Sequence, residues 1–219
     1  MTIRERFRLA IAYFQSTYPE AKTELIYTSP FELIVAVILS AQCTDKRVNI
    51  ITPSLIKKYP DADSMAKAGP EEIFEFIKSC TYPNSKAKYL SEMSRMLVSD
   101  FGGMVPSELK SLLRLPGVGR KSANVISSVI FRKPVIAVDT HVFRVANRIG
   151  LAKNAKTPLS VELQLTKYFN SGIINDAHHW LILHGRYVCK ARNPLCSKCG
   201  LTEICNYYRK FYKKQIETG

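Results

Sequence analysis

Apolar residues recur at helical spacing along most of the chain. Ile3, Phe7, Ile11 and Phe14 follow one another at intervals of four, four and three, one face of an opening helix that Pro19 ends. Pro70, with Glu71 and Glu72 behind it, opens another helix whose buried side carries Ile73, Phe74 and Ile77. Asn84 or Ser85 is placed to cap the next helix, which carries Ala87, Leu90, Met93 and Leu97 and stops at Gly102-Gly103. Such stripes of Met, Phe and Leu are core positions. Val135-Ile136-Ala137-Val138 alone has strand character. With no partner run nearby, it reads as an extended connection. The pattern predicts an all-α fold without repeats, low-complexity tracts or a Ser/Gly linker. From Lys190 onward the composition shifts to Cys, Lys, Arg and Tyr, as in a small appended metal lobe.

Composition narrows the partners. The 219 residues suffice for one core or two small lobes, and 46% of them are hydrophobic, so the chain is globular. Lys and Arg number 32 against 18 Asp and Glu, a net charge of +14 that draws polyanions such as nucleic acid. The charged, amphipathic N-terminus lacks the apolar stretch of a secretory signal. The longest apolar run, 33–39, is far shorter than the ~20 residues that cross a bilayer. The reading is an intracellular protein acting as a monomer on a polyanion, with no membrane partner. In a reducing compartment the six cysteines are thiols or metal ligands.

The string Leu115-Pro116-Gly117-Val118-Gly119-Arg120-Lys121-Ser122-Ala123 lies between two helical stretches. Its glycines permit a tight turn and close approach of another backbone, and the helix that follows presents N–H groups and a positive dipole end. Together they form a sequence-independent phosphate clamp, with helices and hairpin spanning about 109–132. Lys121 begins the second helix. Phosphate contact is its ordinary role, but a helix N-terminus disfavours an ammonium and so favours the neutral amine that acts as a nucleophile. If that helix covers 121–132 it travels roughly 16 Å. The extended residues 133–138 would then return about 20 Å and bring Asp139 back toward Lys121. Asp139, followed by Thr140-His141-Val142, is also a good helix N-cap, and the two roles are compatible.

Leu115 to Ala123, Val138-Asp139-Thr140-His141-Val142, His179-Trp180-Leu181, His184-Gly185-Arg186 and the cysteine tail together resemble the endonuclease III family of helix-hairpin-helix DNA glycosylases, collinearly from about residue 5 to residue 211. The resemblance implies base-excision repair: removal of oxidised pyrimidines from duplex DNA, then a nick at the abasic site. It makes Lys121 the nucleophile and Asp139 the second catalytic residue. It implies two helical lobes flanking a DNA-binding cleft, one of residues 22–133 and one of 1–21 with 134–219. A base must be flipped out of the stack to react, and only an amine nucleophile, not water, couples base removal to strand cleavage.

Four cysteines remain in the tail, Cys189-x6-Cys196-x2-Cys199-x5-Cys205. Taken alone, they could hold a structural zinc ion or an iron–sulfur cluster. The 6-2-5 spacing resembles the family's [4Fe–4S] loop, 189–205, with Lys190, Arg192 and Lys198 projecting toward phosphates. Gln42 matches the glutamine that family members insert into the gap left by the flipped base. The second probing loop departs from the family's glycine followed by two bulky residues; here it is Thr81-Tyr82-Pro83, and Tyr82 is the candidate wedge. Cys43 and Cys80, far from the tail in sequence, read as free, partly buried thiols. His178, His179 and His184 form no ligand set and read as structural, with Trp180 in the core. A monofunctional adenine glycosylase of the same superfamily would lack the lysine at 121 and carry a further C-terminal domain. A non-catalytic DNA-binding module with a structural metal is the alternative from another class.

Overall fold

The computed structural model describes residues 1–212, and every regular element among them is helical. The chain divides into two compact units, Thr23–Arg132 on one hand and Met1–Lys22 with Lys133–Gly219 on the other. Residues 213–219, the end of the second lobe expected from the sequence, lie outside the described residues.

The first helix, α1 (Ile3–Thr17), belongs to the discontinuous unit. Thr2 caps it, and Phe7, Ala10 and Phe14 are its buried face. The other unit is built around α2 (Pro30–Ser40), whose residues Phe31 and Leu33 through Leu39 are all buried. A helix apolar on every side is stable only when surrounded. Helices of the same unit pack against it: α3 (Asp45–Lys58), α6 (Pro83–Phe101) and α8 (Arg120–Val129). The short helices α4 (Ala62–Ala66) and α5 (Pro70–Ile77) lie on α6, and α7 (Leu109–Leu112) precedes α8.

Two local expectations are corrected. Helix α6 begins at Pro83, so Tyr82 rather than Asn84 or Ser85 is its N-cap residue, with a left-handed backbone at φ 54°. Proline suits the first helical position, and it drives the residue before it out of the α-helical region. Helix α8 ends at Val129, three residues short of the expected end, and Arg132 has left-handed φ.

In the discontinuous unit, α9 (Thr140–Ile149), α10 (Pro158–Tyr168) and α11 (Ile174–Tyr187) enclose the buried face of α1. Residues 135–138 form no ladder. Ile136, Ala137 and Val138 are buried, with the Ala137 carbonyl 2.9 Å from His178 Nδ1. Trp180 is 3% exposed and its indole N–H donates to the Tyr18 carbonyl at 3.0 Å, so the end of α1 is tied to α11. Each large side chain so buried contributes about 1.5–3 kcal/mol.

Candidate functional site

The turn between α7 and α8 is anchored by its apolar residues. Leu115 is 2% exposed and Val118 6%, and the Val118 amide donates to the Leu115 carbonyl at 3.1 Å. Only the backbone of these two residues therefore remains for a ligand, although both were expected to contact one. Gly117 has φ +79°, and a Cβ there would lie 2.9 Å from Tyr89 Cβ, so glycine is required by the fold itself. Gly119 differs. Its φ is −86° and a Cβ would meet no atom within 4 Å, so nothing inside this unit demands glycine. Gly119 is the N-cap of α8, and Arg120 and Lys121 follow as exposed residues of its first turn. Amides of a first helical turn have no partner within their own helix and attract anions. Pro116 is partly exposed beside them. Upstream, Arg114 pairs with Asp100 at 2.6 Å and lies over the Phe101 ring, which fastens the turn to the end of α6.

Gln42 and Tyr82 occupy two further loops of the same unit. Both are exposed and both have φ 54°. A non-glycine residue held there stores strain of order 1–3 kcal/mol, which the surroundings must offset. Lys86 supplies part of that. It is 4% exposed, and its Nζ donates to the Leu39 and Ala41 carbonyls, each at 2.7 Å, and to Cys80 Sγ at 3.2 Å. One ammonium thus satisfies carbonyls at the C-terminal end of α2 and holds the loop before α6 against it. Sequence reasoning missed Lys86, because a lysine in a helical pattern reads as solvated.

In the other unit, Asp139 caps α9: its Oδ1 accepts from the Val142 amide at 2.7 Å. The carboxylate is partly exposed. Behind it, Arg144 donates to the carbonyls of Cys189 at 3.0 Å and Gly185 at 2.8 Å. One turn on, Arg148 donates to the Lys190 carbonyl at 2.6 Å and the Ala191 carbonyl at 3.0 Å, and lies 4.4 Å over the Tyr207 ring. Buried Arg6 donates to the carbonyls of Ile149 and Ile204. These arginines lock the cysteine-rich tail onto α9 and α1. The spacing of Arg144 and Arg148 on α9, four residues apart, was the available signal.

The four tail cysteines line one small pocket, together with Ile149, Val188, Pro194, Leu195 and Leu201. Among the described residues no three His, Cys, Asp or Glu side chains close on a single ion position. Burial raises the Cys196, Cys199 and Cys205 thiols, Cys199 to about 11, and their mutual charge adds to it. Three thiols so raised ionise together only around a cation. An Arg148 N–H reaches Cys189 Sγ at 3.6 Å, and the Tyr208 amide donates to Cys205 Sγ at 3.4 Å. His184 is buried behind them, its Nε2 3.6 Å from Cys199 Sγ and its Nδ1 3.3 Å from the Tyr18 hydroxyl; burial holds its pKa down to about 4. Lys190, Arg192 and Lys198 are all exposed on this loop.

Residues 35–171 match the model of the HhH-GPD superfamily of base excision DNA repair proteins. The chain is 50% identical over 195 residues to endonuclease III of Rickettsia conorii, covering 89% of this chain and 92% of that one. A trapped covalent intermediate of an endonuclease III with DNA superposes with a TM-score of 0.91 at 39% identity, over 96% of this chain and 99% of that one. A non-covalent endonuclease III–DNA complex gives 0.92 at 38%, over 97% and 100%. Among the described residues no helix is long and apolar enough to cross a membrane.

Proposed function

The chain belongs to the HhH-GPD superfamily of base excision DNA repair proteins, and we propose from that premise that it excises oxidised pyrimidines from duplex DNA and cleaves the abasic strand, with Lys121 and Asp139 as the catalytic residues. The observation that carries this reading is the exposed Lys121 amine in the first turn of α8, two residues after a glycine that no neighbour inside its unit requires. A phosphate settles against the hairpin backbone at Leu115 through Arg120, drawn by the first-turn amides and by a net charge of +14. The damaged nucleotide is flipped from the stack, Gln42 enters the gap it leaves, and the Tyr82 ring stacks beside it.

Lys121 Nζ then attacks C1′ while the glycosidic C–N bond breaks, and the departing base takes up a proton. The Asp139 carboxylate stabilises the positive charge that develops on the sugar. Its cap to Val142 uses Oδ1, so the bond that starts α9 also orients the group. The attached amine gives up a proton, O4′ takes one as the C1′–O4′ bond breaks, and the opened sugar is left as an iminium between Nζ and C1′. That iminium acidifies C2′–H, and removal of this proton expels the 3′ phosphate by β-elimination.

Cys189, Cys196, Cys199 and Cys205 would hold a [4Fe–4S] cluster. All four line one pocket, and their 6-2-5 spacing resembles the family's [4Fe–4S] loop rather than the paired short knuckles of a zinc site. Bound there, the cluster supplies rigidity and occupies all four thiolates. Lys190, Arg192 and Lys198 then meet phosphates from a fixed loop. Absorption near ~400 nm and iron analysis test the cluster.

The deciding experiment for the reaction is borohydride trapping on a duplex with an oxidised pyrimidine or an abasic site. Wild type becomes covalently joined to the DNA, and Lys121→Ala binds without joining. A wild-type protein that traps on neither substrate removes the lyase assignment.

A further inference from the structure

Two cysteines outside the tail come together in the unit of residues 23–132, although 37 positions separate them in the chain. Cys43 sits in the loop after α2, its amide bonded to the Ser40 carbonyl at 3.1 Å, and is partly exposed. Cys80 is 5% exposed at the base of the loop before α6. Its Sγ donates to the Leu39 carbonyl at 3.4 Å and accepts from Lys86 Nζ at 3.2 Å. Both therefore lie at the C-terminal end of α2, Cys80 against Leu39 and Cys43 against Ser40, where a hydrogen bond between their side chains shifts the ionisation of each. Burial on its own raises Cys43. The Thr81 backbone, Cys80, the Lys86 charge and the Thr81 side chain outweigh it, so this thiol ionises below the ordinary range. Cys80 is raised, chiefly by burial. An accessible thiol that ionises readily, next to a deeper thiol, is the arrangement that selects one sulfur for oxidation and the other for resolution.

We propose that Cys43 and Cys80 form a hydroperoxide-responsive dithiol, Cys43 being oxidised first and Cys80 closing a reversible disulfide that ties the Gln42 loop to the Tyr82 loop. The Cys43 thiolate attacks one peroxide oxygen, the O–O bond breaks, and Cys43 becomes a sulfenic acid as hydroxide leaves. Cys80 Sγ, its thiolate favoured by the Lys86 ammonium, attacks the Cys43 sulfur. The S–O bond breaks and a second hydroxide departs. The two thiol protons convert both hydroxides to water, so two thiols and one hydrogen peroxide give one disulfide and two waters. A dithiol reductant reverses it by exchange.

The effect on DNA rests on the reading of Gln42 and Tyr82 as DNA contacts. Tying these loops together stops them from entering the stack. Binding to a duplex with an abasic analogue is then expected to weaken roughly tenfold or more, the loss of about one stacking interaction.

The test uses the full chain as purified, treated with hydrogen peroxide, blocked with iodoacetamide and digested with trypsin without reduction. The expected product is fragment 23–46 joined to fragment 79–86, lighter by two hydrogens and released by dithiothreitol. In Cys80→Ala, Cys43 accumulates as a sulfenic acid that dimedone captures. In Cys43→Ser, Cys80 stays unmodified at the same dose. Absence of the joined fragments from wild type overturns the proposal, as does oxidation of Cys80 ahead of Cys43. A product that joins Lys86 to Cys80 through one oxygen, heavier by that oxygen less two hydrogens, overturns it too. DNA affinity is measured on the same samples, with Cys43→Ser expected to be indifferent to peroxide. If the disulfide forms and affinity holds, the dithiol stands and the role given to the two loops falls.

Discussion

Replacing Gly117 by alanine puts a methyl group where Tyr89 Cβ, Cγ and Cδ2 lie at 2.9, 3.1 and 3.3 Å, in a backbone conformation of φ +79°. The left-handed conformation costs a non-glycine residue roughly 1–2 kcal/mol. The overlap adds about 1–3 kcal/mol, because Tyr89 Cβ is fixed to the α6 backbone and cannot swing away. Lower entropy of the unfolded chain returns about 0.4–1 kcal/mol. The net destabilisation is about 1–5 kcal/mol, a fall of roughly 2–20 °C in the melting midpoint. Gly119→Ala is the control. Its φ of −86° suits alanine and its surroundings are open, so the weaker N-cap leaves stability within about 1 kcal/mol of wild type. The new methyl group would stand where the phosphate is proposed to approach. Losing one or two charge-assisted hydrogen bonds weakens binding about 10–100-fold. Thermal melts give the first quantity, and fluorescence anisotropy on an abasic-analogue duplex at fixed salt gives the second. The reasoning is refuted if Gly117→Ala melts with wild type, or if Gly119→Ala binds DNA as tightly as wild type does.

Three further outcomes are expected. Asp139→Asn keeps the cap, since asparagine and aspartate cap alike, and so retains stability while turnover collapses; Asp139→Ala adds a loss of about 1 kcal/mol, read by denaturant titration. Full turnover in the asparagine variant would reduce Asp139 to a cap. Neutralising exposed Lys190 or Lys198 lowers the slope of log affinity against log salt by ~0.9 for each phosphate no longer neutralised, without changing lesion preference; an unchanged slope removes that lysine from the DNA surface. Because its folded ionisation is lowered, Cys43 keeps its thiolate below the pH at which a free thiol loses it. Its iodoacetamide reactivity should therefore persist to lower pH than that of a cysteine peptide, and a coincident profile would contradict the Thr81, Cys80 and Lys86 interactions.

The parts of this molecule that were legible in the sequence are those whose causes are local. Helical spacing exposed the buried faces of α1 and α6, and the cap of α9 followed from Asp139 and the residues just after it. Local rules misplaced the start of α6 because two of them competed there. Asparagine and serine favour a cap, but Pro83 fits the first helical position and its ring forces Tyr82 out of the helix. What the sequence could not supply is long-range and polar. Two of the acceptors that Lys86 binds, the Leu39 and Ala41 carbonyls, lie more than forty positions upstream, and no periodicity links them to it. The same fold-back sets Cys43 beside Cys80, so one buried ammonium both supports the loops of Gln42 and Tyr82 and polarises the thiol beneath them. Removing the charge while keeping the stem, as in Lys86→Met, leaves the Leu39 and Ala41 carbonyls without their donor, at about 1–3 kcal/mol each. Support of the loops and polarisation of the thiol should therefore fail together.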